Sequence, residues 1–165
     1  MRKEPSVKRE GKTLHLPLYT SDLASITEQL SGYIESIWTS AELSLKIDWK
    51  AEASRDLFTV LLLRESSGRS FVSPSKKTVN LYNNVRAKSI AHEIGHVLGF
   101  TDHYYSVWNS TKCEYQDQSR EDDLMSDPTY SKVLDDEWKT LQETYPYAAE
   151  NSKPIAEPNF KDHSE

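Results

Sequence analysis

Apolar and polar positions along the chain follow two different periods. "LHLPLY" at 14–19 alternates as a short strand does, and Pro17 suits a sheet edge. "SDLASITEQLSGYIESIWTSAEL" opens on a Ser or Asp N-cap and then spaces Leu23, Ile26, Leu30, Tyr33 or Ile34, and Ile37 at helical intervals. That spacing predicts an amphipathic helix over roughly 22–40, slightly weakened by Gly32. "LSLKIDWKAE" alternates Leu43, Leu45, Ile47 and Trp49 as a half-buried strand, whereas "DLFTVLLLRES" is apolar enough for a central strand, and the two are expected to pair. "SSGRSFVSPSKK" reads as a loop, and "TVNLYNN" as a short strand and turn. The helical period returns from about Val85 to Leu98, where Gly99 ends it. Residues 100–130 carry no convincing period, and connections of that length are functional or flexible. "SKVLDDEWKTLQETYP" gathers Val133, Leu134, Trp138 and Leu141 on one helical face before Pro146 stops it.

This order of elements predicts one α+β domain with a mixed twisted sheet. Residues 1–12 are charged and aperiodic and read as a flexible leader; 13–148 form the domain; 149–165, ending in "NSKPIAEPNFKDHSE" at 151–165, read as a disordered tail. A chain of 165 residues can bury a sufficient core unaided. Twenty basic against 26 acidic residues give a net charge of −6, which argues against a nucleic-acid partner. No run of about eighteen apolar residues and no secretory h-region occurs, so neither a membrane partner nor a standard export signal is expected. The single cysteine, Cys113, leaves no internal disulfide; it is expected to be buried or idle.

The chemistry is concentrated in "AHEIGHVLGFTDHY" at 91–104, which holds three of the five histidines. His92 and His96 are four residues apart, hence about 40° apart around a helix and about 6 Å along it, so both imidazoles reach one ion. Glu93, one step round, can contact a water on that ion without ligating it. Zinc suits the pair, because it accepts neutral imidazole and keeps a position open for water. Two histidines need a third partner. Gly99 can turn the chain back, and the spacing past it favours Asp102, with His103 as the alternative.

"HEIGHVLGFTD" resembles the metzincin pattern H-E-x-x-H-x-x-G-x-x-H/D, in the aspartate form of small snapalysin-like peptidases. Metzincins also carry a methionine turn beneath the histidines, and "DDLMSDP" offers Met125. The resemblance spans roughly 20–145, though only 92–102 and Met125 are specific. It implies a metallopeptidase catalytic domain over 13–148, with an active-site helix, a Met-turn, a C-terminal helix and a cleft below an edge strand. It further implies one catalytic Zn2+ held by His92, His96 and Asp102, with Glu93 as general base and acid. The partner implied is a protein or peptide substrate lying along an edge strand, for which "TVNLY" is the candidate. Family analogy adds secretion or export, and an inhibitory or immunity protein in the producing cell. Several metzincins carry a tyrosine two residues after the methionine; position 127 here is aspartate, and Tyr104, Tyr105 and Tyr130 remain as candidate donors. Two rivals are a thermolysin-like peptidase using Glu121 or Glu137 as a later ligand, and a noncatalytic zinc-binding module.

Overall fold

The alternating N-terminal stretch becomes the middle of a sheet. The computed structural model describes residues 1–22, 28–63, 68–82, 85–127, 129–130 and 132–147. In β2 (Thr13–Tyr19), Leu14, Leu16 and Leu18 point one way and are buried while their neighbours are half-exposed, as a period of two requires. β3 (Ser44–Lys50) runs parallel to β2 along its whole length. A strand has two hydrogen-bonding edges, so β1 (Lys8–Glu10) and β4 (Phe58–Leu63) share the other, pairing with 13–15 and 18–19 respectively. Pro17, expected at an edge, lies instead in an interior strand, between the stretches of β2 paired with β1 and with β4. Its missing N–H is tolerated there because neither strand pairs at that position.

β4 is central as expected, but it does not pair with β3. The helix α1 (Glu28–Ile37) carries the chain over to lay β3 against one side of β2, and β4 then joins the opposite side. Apolar patterning specifies burial without specifying a neighbour. β6 (Thr78–Tyr82) runs parallel to β4, and β5 (Phe71–Ser73) pairs with β6 antiparallel. "TVNLY" is therefore flanked on both sides, and the edge beside it belongs to β5, in a segment read from sequence as loop.

Three helices among the described residues complete a mixed α+β fold with a curled mixed sheet. Of the first predicted helix, 28–37 is observed; Leu23 and Ile26 fall outside the described residues, and Ile34, not Tyr33, faces the core. The site helix α2 (Ala87–Leu98) packs on α1, β5 and β6. Trp38 joins these layers: its indole Nε1 donates to Ala91 O at 2.9 Å, and its ring stacks on Phe100 and meets Trp138 edge-on. The last helix, α3 (Asp135–Thr144), buries Leu141 and is entered through Val133, also buried.

The segment 1–12 is not a loose leader. β1 turns into β2 through Gly11 at φ 58°, and Val7 enters the core. Glu4, nearly buried, pairs with Lys77 at 2.6 Å, and its N–H donates to the Tyr145 hydroxyl, which donates in turn to Leu98 O. Specific hydrogen bonds order a charged segment that has no apolar period to announce it. The expected tail, 149–165, lies outside the described residues. Within 100–130 a hairpin forms from β7 (Tyr105–Asn109) and β8 (Glu114–Gln118). Its Tyr105, Val107, Trp108 and Tyr115 are exposed, so no buried face imposed a readable pattern. Cys113 sits in its turn, exposed instead of buried.

Candidate metal centre

The helix α2 buries an almost continuous surface, including His92 at 1% exposure and Glu93 at 4%. It stops at Gly99, whose φ of 107° is left-handed and whose N–H caps Gly95 O and His96 O. A Cβ at Gly99 would also overlap the Arg2 carbonyl, so backbone and neighbour both demand glycine. The bend returns the chain so that Asp102 Oδ1 lies 3.2 Å from His92 Nε2 and 3.4 Å from His96 Nε2.

The tautomers follow from the other ring nitrogens. His92 Nδ1 lies 2.7 Å from Leu124 O and His96 Nδ1 lies 3.0 Å from Phe100 O. A carbonyl only accepts, so each Nδ1 carries the proton and each Nε2 offers a lone pair. Two lone pairs and a carboxylate oxygen thus point at one another, and His92 Nε2 and Asp102 Oδ1 are buried without a hydrogen bond. Such a group is stable only with a cation or an added proton among its atoms. Burial pulls the His92 pKa below its usual value, outweighing the hydrogen bond to Leu124, so the neutral ligating form is favoured. Burial likewise raises the Glu93 pKa against the opposing fields of His96 and Arg69, and Glu93 Oε2 is also without a hydrogen bond.

Met125 is fully buried beneath this helix. A Cβ at Gly95 would overlap its sulfur, so the glycine in "HEIGH" lets helix and turn approach. The turn is held by Asp123: its Oδ1 accepts from Met125 N at 2.8 Å, and its carbonyl accepts from the N–H groups of Ser126 and Asp127. Because His92 donates to Leu124 O, the turn directly fixes the orientation of a candidate ligand.

No family model matches the chain, and neither does any curated protein. What the site can do therefore rests on its own geometry. His92, His96 and Asp102 form one group able to hold a metal ion, and His103, Asp123 and Glu137 form a second. The sequence alternative, His103, faces away from the first group and donates through Nδ1 to Asp123 Oδ2 at 2.7 Å. Its N–H reaches Met125 O and its carbonyl receives the Ser126 hydroxyl, which ties the residue after Asp102 to the methionine turn. Asp123 Oδ2 also accepts from Ser126 and lies near Arg120, so the second group reads better as a brace than as a metal site. Sequence gave no spacing signal for it. The rival later ligands do not join His92 and His96: Glu121 is exposed, and Glu137 belongs to the brace. Tyr104 has the Arg69 guanidinium 5.4 Å from its ring centre, and among the described residues none of Tyr104, Tyr105 and Tyr130 lines the cavity that holds His96 and Asp102.

Glu137 supplies a stability test of the brace. Burial pushes its pKa from 4.5 up to about 7, against the Leu134 N–H, with Asp123 adding to the rise and His103 opposing it. A folded pKa above the unfolded one means the native state binds the extra proton. Stability from this group is complete below about pH 4.5 and is lost as pH rises through about 7. Glu137→Gln should remove up to about 3 kcal/mol of that decline. Urea unfolding across the interval would check it; an unchanged slope would show that Glu137 does not carry the proton.

Proposed function

We propose that this chain is a zinc-dependent endopeptidase of metzincin type. The observation that carries the reading is the convergence of His92 Nε2, His96 Nε2 and Asp102 Oδ1 on one point, two of them buried and unpaired, next to an unpaired Glu93. Two neutral imidazoles and one carboxylate are a donor set that suits zinc with a position left open. When bound, zinc supplies Lewis acidity, bringing the pKa of water toward neutrality and polarising a peptide carbonyl.

The remaining chemistry belongs to the protein. Glu93 Oε2 takes a proton from the attacking water and passes it to the leaving amine; a carboxyl whose pKa burial has raised holds that proton long enough to deliver it. Leu124 O and Phe100 O hold the imidazole planes, and the brace at His103 and Asp123 fixes the strand of chain that carries Asp102. Phe71, Val72, Glu93, His96 and Asp102 line a common cavity, so β5 offers its free edge to an extended peptide whose backbone it would pair.

The test joins metal analysis to cleavage. The chain loaded with zinc should hold one ion and cut an unfolded protein, and a chelator should abolish the cutting. Zinc retained without cleavage of any protein or peptide would leave the noncatalytic module; no zinc at saturating metal would remove both readings.

A further inference from the structure

Glu93 lines a second cavity, of about 670 Å³, on the side of α2 that faces its N-terminus. This volume accommodates a long side chain or a few residues of peptide. Arg69, Arg86 and Lys88 line it, and among its described lining residues Glu93 is the one acid. In a chain with a net charge of −6, three cations around one cavity invert the local sign.

The placement works against helix stability, which points to a ligand. Arg86 is the N-cap of α2, makes no capping hydrogen bond, and is followed by a first turn with no acidic residue. Cations at a helix N-terminus oppose the macrodipole. α3 in the same chain follows the stabilising rule, with Asp135, Asp136 and Glu137 in its first turn. No carboxylate among the described residues pairs with Arg69, Arg86 or Lys88: Lys88 donates to Thr129 O at 2.9 Å, and Arg69 lies over the Tyr104 ring. The helix N–H dipoles add to the same field, so an anion entering beside Arg69, Arg86 and Lys88 meets attraction, with Glu93 the one acid among the described lining residues to oppose it.

We propose that this cavity is a carboxylate-recognition pocket, in which Arg69, Arg86 and Lys88 select a peptide carrying an acidic group on one flank of the bond presented to Glu93. It rests on the peptidase reading for its link to cleavage, although binding in the pocket does not require cleavage. The carboxylate comes either from an Asp or Glu side chain or from the end of the peptide, and both sources present the same two oxygens to guanidinium and ammonium donors.

The test uses the zinc-loaded full chain and short peptides differing by Glu against Gln at successive positions, each with a free and an amidated end. Cleavage efficiency should favour one Glu peptide over its Gln partner by about tenfold or more, and raised salt should shrink that ratio. The ratio should approach one in Arg86→Ala and fall below one in Arg86→Glu. Melting temperature serves as the folding check, since a glutamate at the helix N-terminus should not lower it. A preference that disappears on amidation assigns the group to the peptide end; one that survives assigns it to a side chain. In parallel, NMR titration of the metal-loaded Glu93→Gln protein with the same peptides should shift the amides of residues 85–89 for the acidic peptide, and less for the neutral one. Acidic binding there with no cleavage by the wild type would keep the pocket and remove the peptidase. Equal cleavage of Glu and Gln peptides, unaltered by Arg86→Glu, would remove the pocket and keep the peptidase.

Discussion

Replacing Glu93 by glutamine should slow peptide hydrolysis by about 10³-fold and leave zinc bound. The two halves of that expectation have separate causes. Glu93 is buried, its Oε2 makes no hydrogen bond, and it stands outside the group formed by His92, His96 and Asp102. The amide keeps the size and removes the proton acceptor, so in the proposed mechanism water would lose its base and the leaving amine its acid. A bound metal would keep all three of these candidate partners. Measuring kcat/KM on an unfolded protein substrate, with zinc content determined on the same sample, reads both halves together. Hydrolysis near the wild-type rate would take the general base away from Glu93; loss of zinc together with activity would make Glu93 a ligand. The variant should fold well, because the substitution relieves the cost of burying a charge.

Asp102→Ala should weaken zinc binding by about 10³-fold, whereas His103→Ala should change it by less than about tenfold. These neighbours occupy different environments although one peptide bond separates them. Asp102 Oδ1 closes on both imidazoles, while His103 turns its ring to Asp123 on the far side of the chain. Removing Asp102 leaves two histidines that hold zinc poorly; removing His103 strips a partner from a fully buried carboxylate and should appear mainly as lost stability. Competitive zinc titration of both variants, with unfolding curves beside it, separates the outcomes. If the two affinities changed in the reverse order, the ligand assignment would pass to His103.

Much of the candidate site was legible because it is local. Four-residue spacing on a helix brings His92 and His96 together wherever that helix is placed, and Gly99, just past the last position of the apolar pattern, is a stop signal where Gly95 inside it is not. The brace was not legible, because His103, Asp123 and Glu137 come from a loop, a turn and a helix that share no spacing. The basic cavity was hidden for a similar reason: Arg69 lies beside β5, far along the chain from Arg86 and Lys88. Met125 stood between these cases. A methionine in a turn is ordinary, and only its contact with Gly95 and the bond from His92 to Leu124 O bind it to the site.

By itself the sequence determined the buried faces of β2, β3 and the long helices, where α2 ends, and that His92 and His96 share one side of it, since each follows from periods of two or 3.6 residues and from the backbone freedom of glycine. Tertiary structure alone decided that β3 and β4 flank β2, that β5 and not β6 forms the edge, and that residues 1–12 join the sheet. Asp102, which the spacing past Gly99 favours over His103, meets the histidines as that spacing predicts, whereas the bond from His103 to Asp123 came from the tertiary structure alone. Those outcomes depend on hydrogen-bond partners distant in the chain, and no local period encodes which partner a strand edge or a carboxylate will find.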